Sequence, residues 1–459
     1  MHPDLTRRML LIAAAAGTAL AGACAHLAPA ARPPIVFVHG NGDTAGLWIT
    51  TIWRFESNGW PRDRLHAIDV PYPLARDDDA KSQEGRTSTA EHMAHLGAEV
   101  DKVLAATGAR QVVLIGNSRG GNAIRNYIAN GGGAAKVSHA VLGGVPNHGV
   151  CADPAHLPGN EFNGAGPFLT RLNAPKGADG HEVTPGVRWM TIRSDGNDKF
   201  AQPDGLWIGR RGIPTNVTAA GPALKGAENV VLAGIDHRET SFTAKSFEQA
   251  YRFITGSAPA TLEIVPEGLV VLNGKVSGLG LNNLQGSFAT NLPLVGATIE
   301  VHQTDPTSGE RLGMAVHRKT IGTDGLWGPF NADPNATYEF AISAPGYATT
   351  HIYRSPFPRS SRVVNLRAER LADADKDAAA VVTLTRPRGY FGTARDRISL
   401  DGRSPPAGIP PGVPGISTAK LKLTDAPGRA VVGEFNGERI VGLAWPAAAN
   451  HVVLLELHH

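Results

Sequence analysis

Between residues 33 and 256 the chain alternates short apolar runs with longer stretches whose apolar positions recur every three or four residues. Ile35-Val36-Phe37-Val38 is apolar without a break, the pattern of a strand buried on both faces. Residues 64–70, 111–115, 140–142, 187–192 and 229–232 are further β-like runs that are mainly apolar, with Asp69 near the end of the second run. The clearest helix is predicted over 89–107, where Met93, Leu96, Val100, Val103 and Leu104 share one face. Ser88 and Glu91 have capping-box spacing ahead of it, and Gly108 supplies the stop. This alternation predicts an α/β domain over 33–257, with a mostly parallel sheet and helices on both of its faces.

The period changes after Thr255-Gly256-Ser257-Ala258-Pro259. Over 258–367, short alternating runs such as Thr298-Ile299-Glu300-Val301 are separated by the turn pairs Asn273-Gly274, Asp324-Gly325 and Pro345-Gly346. That predicts an antiparallel β-sandwich domain. Residues 368–380, rich in Ala, Asp and Lys, read as a linker or short helix. A further β-rich domain is expected over 381–459, interrupted by a Pro/Gly-rich loop at 404–415. Trp327, Phe330 and the segment from Tyr353 to Phe357 fall in turn-rich stretches, where they either pack domains together or form a docking face.

Composition narrows the class. Hydrophobic residues at 42% and charged residues at 19% suit a globular chain with ample core, not a disordered one. Lys and Arg number 44 against 41 Asp and Glu, a formal charge of +3, so there is no electrostatic case for nucleic acid as a partner. The first 32 residues read as an export signal and short linker. Arg7-Arg8 precede the apolar run 9–23, which is too short for an integral membrane span. Thr6-Arg7-Arg8-Met9-Leu10-Leu11 is similar to a twin-arginine signal, and Ala21-Gly22-Ala23 reads as its cleavage site. The expected location is periplasmic or secreted, with a lipid anchor on Cys24 as the alternative to a free product. Cys151, the one other cysteine, has no His or Asp pattern beside it and reads as a buried thiol. Neither a cofactor nor a metal is expected: Asp77-Asp78-Asp79 lacks a spaced fourth ligand and reads as a solvated loop.

The chemistry concentrates at Gly116-Asn117-Ser118-Arg119-Gly120, which follows the apolar run 111–115 and precedes a helical stretch at 122–129. Acyl transfer needs a serine on a sharp strand-to-helix turn, and small residues two before and two after permit that turn. Glycine is abundant, so the strand–turn–helix context carries the reading rather than the bare pattern. His39-Gly40-Asn41-Gly42 follows the first strand, where a second oxyanion donor belongs. The expected donors are the backbone N–H groups of Asn41 and Arg119, with the His39 side chain bracing the loop. His237, between the last strand and a helix at 247–253, is placed to be the general base. Its acid partner should follow the strand at 187–192. Asp195 and Asp198 both qualify, and Asp198 is preferred because it leaves a loop long enough to reach under His237.

With these residues in view, 33–256 resembles the bacterial and archaeal lipase-esterase branch of the α/β-hydrolases. The matching pieces are the His39-Gly40 turn, the turn around Ser118 and the Asp236-His237 loop. The β-rich region 258–459 resembles the C-terminal lipid-binding region of a two-domain archaeal lipase, and 262–367 also resembles regulatory β-sandwich modules. The resemblance implies an α/β-hydrolase fold followed by a β-sandwich region, and a serine hydrolase acting on an ester or lipid, including an insoluble one. Two departures stand out: Asn117 where lipases commonly carry His, and Arg119 where they carry a small or hydrophobic residue. The stretch 157–166 occupies the cap position without a long amphipathic helix, which predicts an open site. Two alternatives follow. One is an extracellular polyester depolymerase with a polymer-binding C-terminal region. The other is a non-catalytic surface protein on a hydrolase shell.

Overall fold

The structure is a computed structural model and describes residues 32–282, 286–425 and 427–459. The expected leader, with Arg7, Arg8 and Cys24, lies outside the described residues.

Six parallel strands form the central sheet, in the order Leu65–Ile68, Ile35–Val38, Val112–Asn117, Val137–Gly143, Arg188–Ser194 and Glu228–Leu232. Each corresponds to one of the apolar runs. The alternation of side chains splits the first strand between two cores. Val36 and Val38 pack with Leu96, Val100, Ile124 and Tyr127 on one face. Ile35 and Phe37 pack with Phe55, Phe247 and Tyr251 on the other. Helices Thr89–Thr107 and Arg119–Asn130 therefore cover one face, and Ile49–Ser57 and Ala244–Thr255 the opposite one. Both halves of the capping box are formed at the start of Thr89–Thr107: Ser88 Oγ accepts from Glu91 N at 3.2 Å, and Glu91 Oε2 accepts from Ser88 N at 2.7 Å. The fold is the α/β-hydrolase fold expected.

The C-terminal region is β-rich. A seven-stranded sheet runs in the order His317–Thr320, Thr298–Thr304, Thr337–Ser343, Thr349–Arg354, His451–Glu456, Ala380–Thr385 and Thr418–Leu423. Most neighbours are antiparallel, but His451–Glu456 lies between Thr349–Arg354 and Ala380–Thr385 and parallel to both. Strands from the ranges 258–367 and 381–459 thus share one sheet, joined by the last strand of the chain. A short 3-10 turn, Asp373–Asp375, lies in the connection at 368–380.

The aromatic residues offered above as a docking face are core residues. Trp327 and Phe357 are fully buried and Phe330 is 7% exposed, all in one cluster with Phe340 and Tyr338. Ile49 and Trp53, from the helix beside the first strand, complete that same cluster, and Trp53 Nε1 donates to Ser360 O at 2.9 Å. The sandwich therefore packs directly on the hydrolase domain. These buried aromatics are not a docking face for a polymer.

Candidate active site

The strand Val112–Asn117 and the helix Arg119–Asn130 are joined by a single residue, Ser118, at φ 49° and ψ −121°. A non-glycine residue held there is strained by about 1–3 kcal/mol, and such strain gathers at functional turns. Packing enforces the turn. A Cβ at Gly120 would lie 2.4 Å from the carbonyl oxygen of Val38, and one at Gly116 would lie 2.6 Å from Ile124 Cδ1. Glycine at both positions is what lets the helix sit against the first strand. Asn117 takes the place of the usual histidine as a tie: its Nδ2 donates to Ser241 Oγ at 2.8 Å and to Gly143 O at 3.1 Å.

His237 and Ser118 line one cavity of about 270 Å³. The two aspartates separate cleanly. His237 Nδ1 donates to Asp198 Oδ2 at 2.9 Å, and both side chains are largely buried. Asp198 Oδ1 is held in turn by the N–H of Phe200 at 2.8 Å. Asp195 instead accepts from Asn197 N at 3.1 Å and Gly234 N at 3.0 Å, and so stabilises its turn. His237 Nε2 is buried and has no hydrogen-bond partner among the described residues. An imidazole fixed through Nδ1 leaves Nε2 free to act as a general base in the cavity it shares with a serine on a strained turn.

The loop after the first strand closes the other side. Asn41 Oδ1 accepts from Ala75 N at 2.7 Å, which fixes the loop. The N–H of Arg119 belongs to the first turn of its helix, where N–H groups lack intrahelical acceptors. Asn41, like Ser118 and His237, lines the cavity. His39 braces rather than reacts: Val70 N donates to its Nε2 at 3.0 Å and its Nδ1 donates to Gly40 O at 2.8 Å. Burial pushes its pKa down, which suits the neutral ring those two bonds require.

The Arg119 side chain does not offer a charge to the site. Its guanidinium is buried against Glu161, at 2.8 and 2.9 Å, and also donates to the carbonyls of Pro73 and Thr87. Glu161 lies in the cap stretch, so this pair locks the cap to the serine turn. Removing one partner of a buried ion pair costs about 3–5 kcal/mol, because it strands the other charge. Glu161→Gln should lose stability on that scale in denaturant unfolding; a loss below about 1 kcal/mol would deny the lock its role.

Much of the remaining wall is apolar, from Val150, Leu157, Phe162, Phe200, Trp207 and Ile208. No long helix lies over it; the cap stretch is made of turns followed by the short helix Pro167–Leu172. Cys151 is buried in this wall, and its Sγ accepts from Arg210 at 3.2 Å. The aspartate run is spread among local contacts, with Asp79 accepting from Thr89 N at 2.7 Å at the helix start. Sequence reasoning missed Tyr390, which comes from the C-terminal region and lines the same cavity. Lys199 Nζ lies 4.0 Å over the Tyr390 ring and donates to Gly415 O at 2.9 Å. Burial, aided by Arg238, pushes its ammonium down to about 8. The one sequence signal for Tyr390 is an aromatic residue in an Arg-Pro-Arg-Gly-Tyr turn, which by itself points nowhere.

Residues 33–169 match the family model described as the alpha/beta hydrolase fold, and residues 268–371 match the lipase C-terminal domain. The first of these regions is thus an α/β-hydrolase fold domain and the second a lipase C-terminal domain. A non-heme haloperoxidase of Rhodococcus erythropolis is 32% identical over 137 residues, which are 28% of this chain and 44% of that protein's length. Among solved structures, the mature lipase BlEst2 of Bacillus licheniformis is 19% identical, covering 49% of this chain and 90% of its own, with a TM-score of 0.33. Phospholipase PlaB from Legionella pneumophila is 11% identical and covers 84% of this chain and 98% of its own, with a TM-score of 0.35.

Proposed function

We propose that the protein is an exported serine ester hydrolase of the lipase or carboxylesterase type, working through Ser118, His237 and Asp198. The observation that carries this reading is the buried hydrogen bond between His237 Nδ1 and Asp198 Oδ2, 2.9 Å long, on the histidine that shares a cavity with the strained Ser118. In this reading Ser118 Oγ attacks the ester carbonyl carbon as His237 Nε2 takes its proton. The N–H groups of Asn41 and Arg119 hold the developing oxyanion. Asp198 keeps the Nδ1–H tautomer and steadies the imidazolium. The imidazolium then protonates the leaving alcohol, and an acyl-enzyme on Ser118 remains. Water, deprotonated by His237, then attacks the acyl carbon, the bond to Ser118 Oγ breaks as that oxygen takes the proton back from His237, and the acid is released. The apolar wall suits an acyl chain as the group bound beside the carbonyl. Among the described residues no helix is long and apolar enough to cross a membrane.

The direct test is hydrolysis of a short-chain nitrophenyl ester by the purified chain, with and without a serine-directed phosphonate. Turnover that the phosphonate abolishes is expected. A folded protein inert toward a range of acyl lengths would point to the non-catalytic alternative.

Export is part of the proposal and rests on the paired arginines ahead of the Ala-rich run. Changing Arg7 and Arg8 together to Lys should trap the precursor in the cytoplasm, read by fractionation and blotting. Normal export of that double variant would point to the general secretion route instead.

A further inference from the structure

We infer that Arg386 and Arg395, from the C-terminal β-rich region, are positioning residues for His237, and that the same contact sets Tyr390 into the cavity wall. The inference deepens the proposed function and rests on it.

His237 is flanked by two acids that hold each other's backbone. Asp236 Oδ1 accepts from the N–H groups of Arg238 at 2.9 Å and Glu239 at 3.0 Å. Glu239 Oε2 accepts from Asp236 N at 2.7 Å. The chain on both sides of the histidine is thus pinned by one reciprocal pair, and the His237 carbonyl accepts from Thr240 Oγ1 at 2.7 Å. Remaining acceptor positions on both carboxylates are taken by the C-terminal region. Asp236 Oδ2 accepts from Arg386 Nη1 at 3.0 Å, Arg395 Nη2 at 3.0 Å and Tyr390 N at 2.7 Å. Arg386 Nη2 reaches Glu239 Oε1 at 2.5 Å, and Arg395 Nη1 pairs with Glu239 Oε2. Each guanidinium therefore bridges both acids, and two positive charges meet two negative ones.

That geometry does more than join two surfaces. A planar fork that spans two carboxylates fixes their separation, whereas an ammonium acts as a point charge and cannot do so. The separation of Asp236 and Glu239 sets the backbone that carries His237, and hence the placement of its ring in the cavity it shares with Ser118. The Asp236 side chain is 0% exposed and that of Arg386 4%, so water does not compete for the bond between these two. Tyr390 hangs from the same Asp236 oxygen through its N–H while its side chain lines the cavity. Pro387 O, three residues earlier, accepts from Arg238 Nη1 at 2.9 Å. The base and one wall of its cavity are therefore set by one contact about 150 residues away along the chain.

Arg395 is the residue to change, because its side chain is 21% exposed while Arg386 stays on both acids. The test compares the full chain with its Arg395→Gln and Arg395→Lys variants, each checked for cooperative melting. Two readouts are taken: kcat and KM on a soluble nitrophenyl ester, and the low-field proton resonance of the His237 Nδ1–H to Asp198 bond. Both variants should lose roughly 10- to 100-fold in kcat with KM held within about twofold, and the resonance should shift or broaden. Lysine should fail to rescue, because it keeps the charge and loses the fork. Wild-type kcat together with an unchanged resonance in either folded variant would overturn the inference, and the charge-keeping Arg395→Lys decides the matter if Arg395→Gln does not fold. A wild-type chain with no ester hydrolysis would instead defeat the proposed function, while the proton resonance would still report on the positioning.

Discussion

Replacing Ser118 by alanine should lower ester hydrolysis by about 10⁴- to 10⁶-fold and leave the fold intact. The magnitude follows from the acyl-enzyme route, which loses its covalent intermediate when the Ser118 hydroxyl is removed. The fold should survive because the turn is set by its neighbours: Gly116 against Ile124, Gly120 against the carbonyl of Val38, and Asn117 tied to Ser241 and Gly143. Alanine meets the same strained φ that serine does. Initial rates on a nitrophenyl ester, together with a melting curve, check both halves. A folded variant that retained a few per cent of the rate would place the nucleophile elsewhere.

The second large effect separates the two aspartates. Asp198→Asn should cost roughly 10⁴-fold in turnover, because an amide facing Nδ1 no longer favours the tautomer that leaves Nε2 free to accept a proton. Asp195→Asn should cost little rate. Its carboxylate accepts from Gly234 N and Asn197 N and does not touch the histidine, so the change should appear as a modest drop in melting temperature. Parallel kcat measurements on the two variants decide it, and a dead Asp195 variant beside an active Asp198 variant would reverse the assignment.

Local patterns were legible in the sequence and distant ones were not. The four inner sheet strands appear as mainly apolar runs because inner parallel strands are largely buried on both faces, while the edge strands Leu65–Ile68 and Glu228–Leu232 are less buried. The helix Thr89–Thr107 announces itself through its capping box and a single apolar face. The helix Ile49–Ser57 did not: its sequence Ile-Thr-Thr-Ile-Trp begins with β-branched residues that favour strands, and packing of Ile49 and Trp53 on the sandwich overrides that preference. The Ser118 turn, the His39 loop and the His237 loop were readable because each depends on a few adjacent residues. Asp195 and Asp198 could only be ranked, since the choice turns on which carboxylate reaches a ring 39 residues later. The partner of Arg119 was hidden for the same reason. A buried arginine beside the serine reads as a charge at the site until Glu161, 42 residues on, is seen to hold it. The part played by Arg386, Tyr390 and Arg395 lies still further out, in the packing of the C-terminal region on the loop that carries His237.

The central claim is that Ser118 is a nucleophile activated by His237. Labelling with a serine-directed phosphonate, followed by peptide mapping, tests it without any assumption about the substrate. A single adduct is expected on the peptide that contains Ser118, suppressed in a folded His237→Gln variant. An adduct on another serine, or equal labelling of Ser118 without His237, would contradict the account.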